Sequence, residues 1–343
     1  MKGVSIYSVA EVAKVSIATV SRVINNDPCV NIKTVDRIRQ AIAQSGYVPA
    51  PVSGRRGRRS CPRKTILKKN IALISTLSAF HMRTQVYSSV MQGIEAELGK
   101  LNFNLIVRNL PVIDPWSAIP GKIDGAILFH VKDDDQKLIN TLRSLSCVRV
   151  MGPSLETDFF DLVTYDDAAV GRLAAEHLLN LGHRRLSYIG SLDQKNNLRV
   201  RGISFKKAVM AAGAEFVEIE KGADNLLLED GSSQLPNMKA LGTVCEVLAA
   251  MPKRPTALFV HADILVMGLY HILPHYGIKP GVDITLVGTN NDRVYLEHLS
   301  PRPATIDIHA EQVGRNAVER LLWRFDNHKE PFKNIELQPE LIQ

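Results

Sequence analysis

The chain has 343 residues, which at ~150 residues per domain suggests two or three domains. Hydrophobic residues make up 45%, enough for a real core, so wholesale disorder and a disulfide-stapled miniprotein are excluded. The net charge of +7 is uneven: residues 1–69 hold 14 Lys plus Arg against 3 Asp plus Glu, a net of +11, which leaves −4 for the rest and suggests that only the head meets a polyanion.

Residues 1–49 predict three short helices. Val9-Ala10-Glu11-Val12-Ala13 gives an apolar-faced turn and a half. Ser16 precedes a run from Ile17 to Asn25, and Asn31 precedes a run with Val35, Ile38 and Ile42 at helical spacing. Ser16 and Asn31 suit N-caps, and Gly46 stops the third helix. In the second helix Val20, Val23 and Ile24 share one face. Ile17, Ala18, Ser21, Arg22 and Asn25 share the other. Two helices joined by Lys14-Val15-Ser16 read as a helix-turn-helix whose second helix enters the major groove. Ile17 and Ala18 allow close approach and contact with thymine methyls, and Arg22 can pair with guanine, for about 1–3 kcal/mol of discrimination. An ordinary three-helix bundle is the alternative.

Residues 50–69 change character. Pro51, Ser53, Gly54, Gly57, Ser60 and Pro62 break regular structure among Arg55, Arg56, Arg58, Arg59, Arg63, Lys64, Lys68 and Lys69, so this is a basic linker. From residue 70 short apolar strands alternate with helices. Strands are predicted at 71–74, 105–107, 126–129, 186–189, 257–260 and 284–287, and helices at 86–98, 169–180, 200–212 and 265–273. This pattern implies βαβ units in parallel sheets covered on both faces, and about 270 residues call for two similar lobes.

Other chemistry is thin. Cys29, Cys61, Cys147 and Cys245 form no Cys-x-x-Cys pair, which fits a reducing cytoplasm. No run approaches the ~18–20 apolar residues of a membrane span, and Glu11 and Lys14 interrupt any signal-peptide core. His271 and His275 stand four apart without a third ligand nearby, so a solvated face is expected rather than a zinc site. His81 lines a cleft or sits on a loop. Asp133-Asp134-Asp135 reads as a helix start, and Trp323 as core or lobe packing. No catalytic motif is present, and neither an enzyme, a cofactor nor a metal is expected.

The run from Tyr7 to Asn25, with Val30, Thr34 and the ending Gly46-Tyr47-Val48-Pro49, resembles the headpiece of the LacI/GalR family of transcriptional regulators. Lys14 stands where that family often has Gly, at a cost of ~1 kcal/mol for a left-handed backbone. The resemblance continues in order through Asp124-Gly125, Tyr165-Asp166-Asp167, Gly171, Leu181-Gly182-His183, Arg199-Val200-Arg201-Gly202, Asp263, Gly268, Val287-Gly288, Thr305-Ile306-Asp307, Gly314 and Pro339-Glu340-Leu341-Ile342.

The resemblance implies an all-α helix-turn-helix headpiece (1–49), the linker (50–69), and an α/β body of two Rossmann-like lobes similar to periplasmic binding proteins. The first lobe is expected at 70–160 with 307–336, the second at 161–306 with 337–343. It further implies a repressor that binds a pseudo-palindromic operator in double-stranded DNA and takes a small-molecule effector between its lobes. The DNA-facing set is Tyr7, Ser16, Ile17, Ala18, Thr19, Ser21, Arg22, Asn25, Asn31, Tyr47, Arg56 and Arg58. The effector set is Phe80, Arg199, Asp263 and Asn290. For these, a core aromatic, a surface arginine and a helix cap remain the alternative roles of Phe80, Arg199 and Asp263. Ala262 and Asn290 replace the family's usual Asn and Asp, and with Arg199 they suggest an effector that is sugar-derived or anionic. The sequence stops at Gln343 without a leucine-heptad tail, so a homodimer is expected. A solute-binding protein for transport is the alternative function; the basic head argues against it.

The linker departs from the family. Ala50, Gly54 and Arg56 stand where Asn, Arg and a groove-wedging Leu are usual, and Gly54 and Gly57 each disfavour a hinge helix by ~1 kcal/mol. Arg55-Arg56-Gly57-Arg58-Arg59 is instead similar to an AT-hook, which fits a narrow A·T-rich minor groove. A nonspecific phosphate tether is the alternative.

Overall fold

A computed structural model describes residues 5–24, 30–47, 69–75, 84–109, 123–129, 140, 142–152, 159–190, 192, 197–219, 226 and 237–343. The chain divides into two compact units, Met1–Ile66 and Leu67–Gln343. Asn25, Arg56, Arg58, Phe80, His81 and Asp133 to Asp135 lie outside the described residues.

The first unit holds α1 (Ile6–Val12), α2 (Ile17–Ile24) and α3 (Ile32–Ser45). Each start is fixed by a short hydroxyl or amide side chain. The Ser5 amide donates to Ser8 Oγ at 3.1 Å, the Thr19 amide to Ser16 Oγ at 3.2 Å, and the Lys33 amide to Asn31 Oδ1 at 3.0 Å. Lys14 takes φ 51° in the turn between α1 and α2, and Gly46 ends α3 at φ 66°. Val9, Ala13, Val20, Val23, Ile38 and Ala41 bury into one small core.

The second unit contains two six-stranded sheets among the described residues. The first comprises β1 (Asn70–Ser75), β2 (Asn104–Asn109), β3 (Gly125–Phe129), β4 (Ser146–Val150), β5 (Asp161–Tyr165) and β11 (Asn334–Leu337). The second comprises β6 (Arg185–Ile189), β7 (Glu215–Val217), β8 (Ala257–Val260), β9 (Thr285–Thr289), β10 (Ala304–Asp307) and β12 (Glu340–Ile342). All pairings are parallel except that of β12 with β10. Helices α4 (Gln85–Lys100) and α10 (Ala310–Asp326) pack together against the first sheet. Helices α5 (Asp167–Asn180), α6 (Asn197–Ala211), α7 (Met238–Ala250) and α8 (Asp263–Ile272) cover the second, with a short α9 (Arg293–Leu296) after β9. The central strands bury both faces, as their continuous apolar runs require.

The lobe boundaries need correction. The segment 161–165 was expected to open the second lobe, yet it pairs with β4 and β11 in the first sheet, so the chain crosses after Tyr165 rather than near Phe160. The reason is a buried ion cluster: the carboxylate of Asp161 accepts from Arg324 at 2.7 and 2.8 Å, from Arg320 at 2.8 Å and from the Lys333 amide at 2.9 Å. At the other crossings Asp307 still pairs in the second sheet and Leu337 still pairs in the first, which moves both boundaries by one residue.

Helices α4 and α10 cross at glycines. A Cβ on Gly93 would lie 2.0 Å from Glu311 O, and one on Gly314 2.1 Å from Val90 O. Gly93→Ala is expected to destabilise the second unit by about 1–3 kcal/mol through overpacking, read as a lower urea midpoint. An unchanged midpoint would contradict the crossing.

Candidate functional site

Two surfaces carry the candidate chemistry. On the headpiece, Val20 and Val23 are buried while Ile17, Ala18 and Arg22 are exposed, so α2 turns outward the face expected to meet DNA. Ile17 is 41% and Tyr7 67% exposed. Ser21 and Thr19 are half-buried beside them, and Tyr47 is half-buried against the headpiece core. Ser16 and Asn31 stand exposed at helix starts with their side-chain oxygens engaged in capping. Ser16 Oγ also lies 2.8 Å from Thr19 Oγ1.

On the body, a cavity of about 620 Å³ opens beyond the carboxyl end of β9. Its walls are the first turns of α4 (Gln85, Ser89, Gln92), the loop Asn290 to Val294, and the crossing from Asp307 into α10 (His309, Glu311, Arg315). Ligands of doubly wound sheets bind beyond strand carboxyl ends, and this cavity takes walls from both lobes.

The loop after β9 is held in an unusual backbone. Asn290 and Asn291 have φ 108° and 56°. Asp263 holds it there. Its carboxylate accepts from the Asp292 amide at 2.8 Å and from Thr305 Oγ1 at 2.9 Å, and it lies where a Cβ on Gly288 would come within 1.8 Å. Burial pushes the Asp263 pKa well above the ordinary carboxylate range, and nearby Asp292 adds to the rise. Asp292, 4% exposed, is pushed up to about 7 by burial and then by Asp307.

The expected effector residues therefore separate. Asn290 lines the cavity. Asp263 does not; it is fully buried and tied to protein donors. Nor does it act as the N-cap of α8, a position that Ala262 occupies. Arg199 is exposed on the first turn of α6, beyond the carboxyl end of β6, and is not among the residues lining this cavity.

Its neighbour Arg201 was missed. Arg201 is 2% exposed and donates to Asp167 Oδ1 at 2.8 and 3.0 Å, to Tyr165 OH at 2.9 Å and to His261 O at 2.7 Å. Asp167 and Tyr165 flank the first crossing between lobes, so this guanidinium pins the crossing to the end of β8. Burial holds the His261 imidazole neutral, with its pKa lowered to about 4. The only hint in the sequence was a second arginine two residues on, which falls on another helix face.

Among the described residues no group of His, Cys, Asp and Glu could hold a metal ion, and the His271 and His275 rings meet edge to face, centroids 5.8 Å apart. No helix among them is long and apolar enough to cross a membrane. Trp323 is half-buried in α10, with the Arg320 guanidinium 3.9 Å from its ring.

A raised carboxyl binds its proton more tightly in the folded state. Asp292 therefore favours folding at low pH, and that contribution is lost as pH rises through about 7. Asp292→Asn is expected to gain stability relative to the parent chain as pH rises from about 4 to about 7 in urea titrations. Parallel pH dependence of the two would contradict the shift.

Comparison with known proteins agrees with this geometry. Residues 5–50 match the family described as bacterial regulatory proteins, lacI family, and residues 175–343 match a periplasmic binding protein-like domain. The chain is 28% identical over 345 residues to the HTH-type transcriptional repressor PurR of Vibrio parahaemolyticus serotype O3:K6, covering 98% of this chain and 97% of that protein. Among solved structures it is similar to a CelR–cellobiose complex, with TM-score 0.64, 21% identity, and 99% and 98% of the two chains covered. The Lac repressor bound to ONPG is likewise similar, with TM-score 0.62, 20% identity, and 100% and 99% covered. Headpiece and body thus define a DNA-binding regulator with a two-lobed, periplasmic-binding-protein-like body. The chain carries a LacI-family helix-turn-helix domain together with a periplasmic-binding-protein-like domain.

Proposed function

We propose that this chain is a cytoplasmic repressor that binds a pseudo-palindromic operator as a homodimer, with operator affinity set by a small molecule in the cavity at Asn290. The observation that carries the reading is the pairing of an outward-facing recognition helix with a cavity walled by both lobes. One headpiece spans only a few base pairs, so useful affinity needs two, and a two-fold dimer matches a palindrome. On DNA, Ile17, Ala18, Ser21, Arg22 and Asn25 address base edges, while Tyr7, Ser16, Thr19, Asn31 and Tyr47 address the backbone. In the body Asn290 faces the ligand and Asp263 holds the loop that carries it. For a ligand that reaches beyond this cavity to the carboxyl end of β6, Arg199 is the proposed grip on its oxygens, and the family resemblance assigns Phe80 to an apolar face. The mechanism is linkage: a ligand that favours one lobe geometry shifts the population of DNA-competent dimers.

A mobility-shift assay tests the reading. At nanomolar concentration the chain is expected to retain a palindromic fragment from upstream of its own gene and to release it when either half-site is scrambled. Equal retention of both fragments would reduce the headpiece to a nonspecific binder.

Arg56 and Arg58 are proposed to enter the minor groove at the operator centre. Arg56→Ala with Arg58→Ala is expected to weaken A·T-centred operators more than G·C-centred ones carrying the same half-sites. Equal weakening, measured by fluorescence anisotropy, would assign the linker to phosphate contacts alone.

A further inference from the structure

We infer that Arg201 and the Tyr165 hydroxyl form a staple across the first crossing between lobes, and that this staple holds the lobe geometry on which operator affinity depends. Both are positioning residues. Neither belongs to the DNA-facing set, and neither is among the residues lining the cavity. This rests on the reading of the chain as a repressor whose lobe geometry controls DNA binding, and it names the side chains that hold that geometry.

The crossing is one residue long. Tyr165 ends β5 in the first sheet, where it pairs with Leu337 of β11. Asp167 opens α5, which packs on the second sheet. Asp166 alone lies between them, in a non-helical backbone at φ −76° and ψ 94°. Rotation of one lobe against the other therefore passes through this residue. Arg201 bonds both of its flanks. The Nη2 atom donates to Tyr165 OH at 2.9 Å on one side and to Asp167 Oδ1 at 2.8 Å on the other.

The guanidinium moves with the second lobe. Its Nε donates to Asp167 Oδ1 at 3.0 Å and its Nη1 to His261 O at 2.7 Å, both second-lobe groups. Helices α5 and α6 also meet at a glycine. A Cβ on Gly171 would lie 2.2 Å from Arg201 O and 2.8 Å from Phe205 N. On the sheet side, a Cβ on Gly202 would lie 2.4 Å from the Tyr188 ring. Packing this close leaves α6 no room to slide on its lobe. A change of lobe angle at Asp166 thus strains the bond to Tyr165 and spares those to Asp167 and His261. The site is buried, so water does not readily replace the lost partner, and the contact favours two discrete states, bonded and broken. Arg199, the proposed grip on a ligand, stands two residues earlier on the same helix. A ligand engaged there draws on the segment that carries the staple.

Operator affinity in the absence of any ligand tests this, by fluorescence anisotropy of the full chain on the palindromic fragment from upstream of its own gene. Tyr165→Phe removes the hydroxyl and keeps both the ring and the Arg201–Asp167 pair. Arg201→Lys keeps a charge beside Asp167 and loses the planar fork that reaches both flanks. Each is expected to change operator affinity about fivefold or more, up or down according to whether the stapled geometry is the DNA-competent one. Affinity for random DNA is expected to stay within about twofold of the parent, because the headpiece is untouched. The double variant is expected to match the larger single change, since both substitutions remove the same bond. Operator affinity within about twofold of the parent in Tyr165→Phe overturns the staple, whether or not the urea midpoint falls, because the contact is then structural only. Additive changes in the double variant overturn it as well. Should Arg201→Lys fail to fold, Tyr165→Phe decides alone. A parent chain that retains no palindromic fragment overturns the repressor reading itself, and with it the staple's part in regulation.

Discussion

Arg201→Met is expected to lower the stability of the second unit by about 3–5 kcal/mol, because it leaves the Asp167 carboxylate buried without its partner. The guanidinium touches Tyr165, Asp167 and the His261 carbonyl, groups on three segments that meet where the chain first crosses between lobes. Losing it removes charge compensation and loosens the crossing together. The double substitution Asp167→Leu with Arg201→Met should regain much of the loss, since two apolar side chains leave no buried charge. Urea denaturation followed by circular dichroism reads both. A single variant within about 1 kcal/mol of the parent would show that the pair carries little of the fold.

Arg22→Ala carries the second large effect. Arg22 is exposed on the outward face of α2, one turn beyond Ala18. A bidentate pair with guanine is worth about 1–3 kcal/mol per half-site. A dimer reading two half-sites therefore loses affinity on the order of tens to ten-thousand-fold for its operator. Binding to random DNA should fall far less, because that depends on the sum of phosphate contacts. Parallel losses on operator and random DNA would place Arg22 on the phosphates.

Much of this architecture was legible in the sequence because the signals are local. Ser16, Asn31 and Gly46 mark helix ends through their own side chains or lack of one, and the structure uses all three so. The left-handed backbone at Lys14 was implied by the resemblance to a family that often has Gly there, and Lys14 takes φ 51°. The central strands were visible as unbroken aliphatic runs.

What was not legible depends on partners far away in the chain. Strand β5 reads Asp-Leu-Val-Thr-Tyr, and nothing local assigns it to the first sheet; Arg320 and Arg324, about 160 residues on, do that. The short edge strands β7, β11 and β12 carry little apolar pattern, with half or more of each exposed or half-buried. Asp263 was assigned to the ligand by the family resemblance, with a helix cap as the alternative. Its true neighbours, Gly288 and Thr305, come only with the closed sheet. Arg199 and Arg201 differ by two positions, and only helix phase decides which is buried.

Repression by this chain would rest on recognition of a two-half-site operator by a paired headpiece. Sequencing the genomic fragments that the purified full chain selects from its own source DNA tests this most directly. The expected result is one shared pseudo-palindrome, with half-sites about one helical turn apart around an A·T-rich centre, lost when Arg22→Ala replaces the parent chain. Enrichment of fragments with no shared site, or of a single unpaired half-site retained by Arg22→Ala, would contradict it.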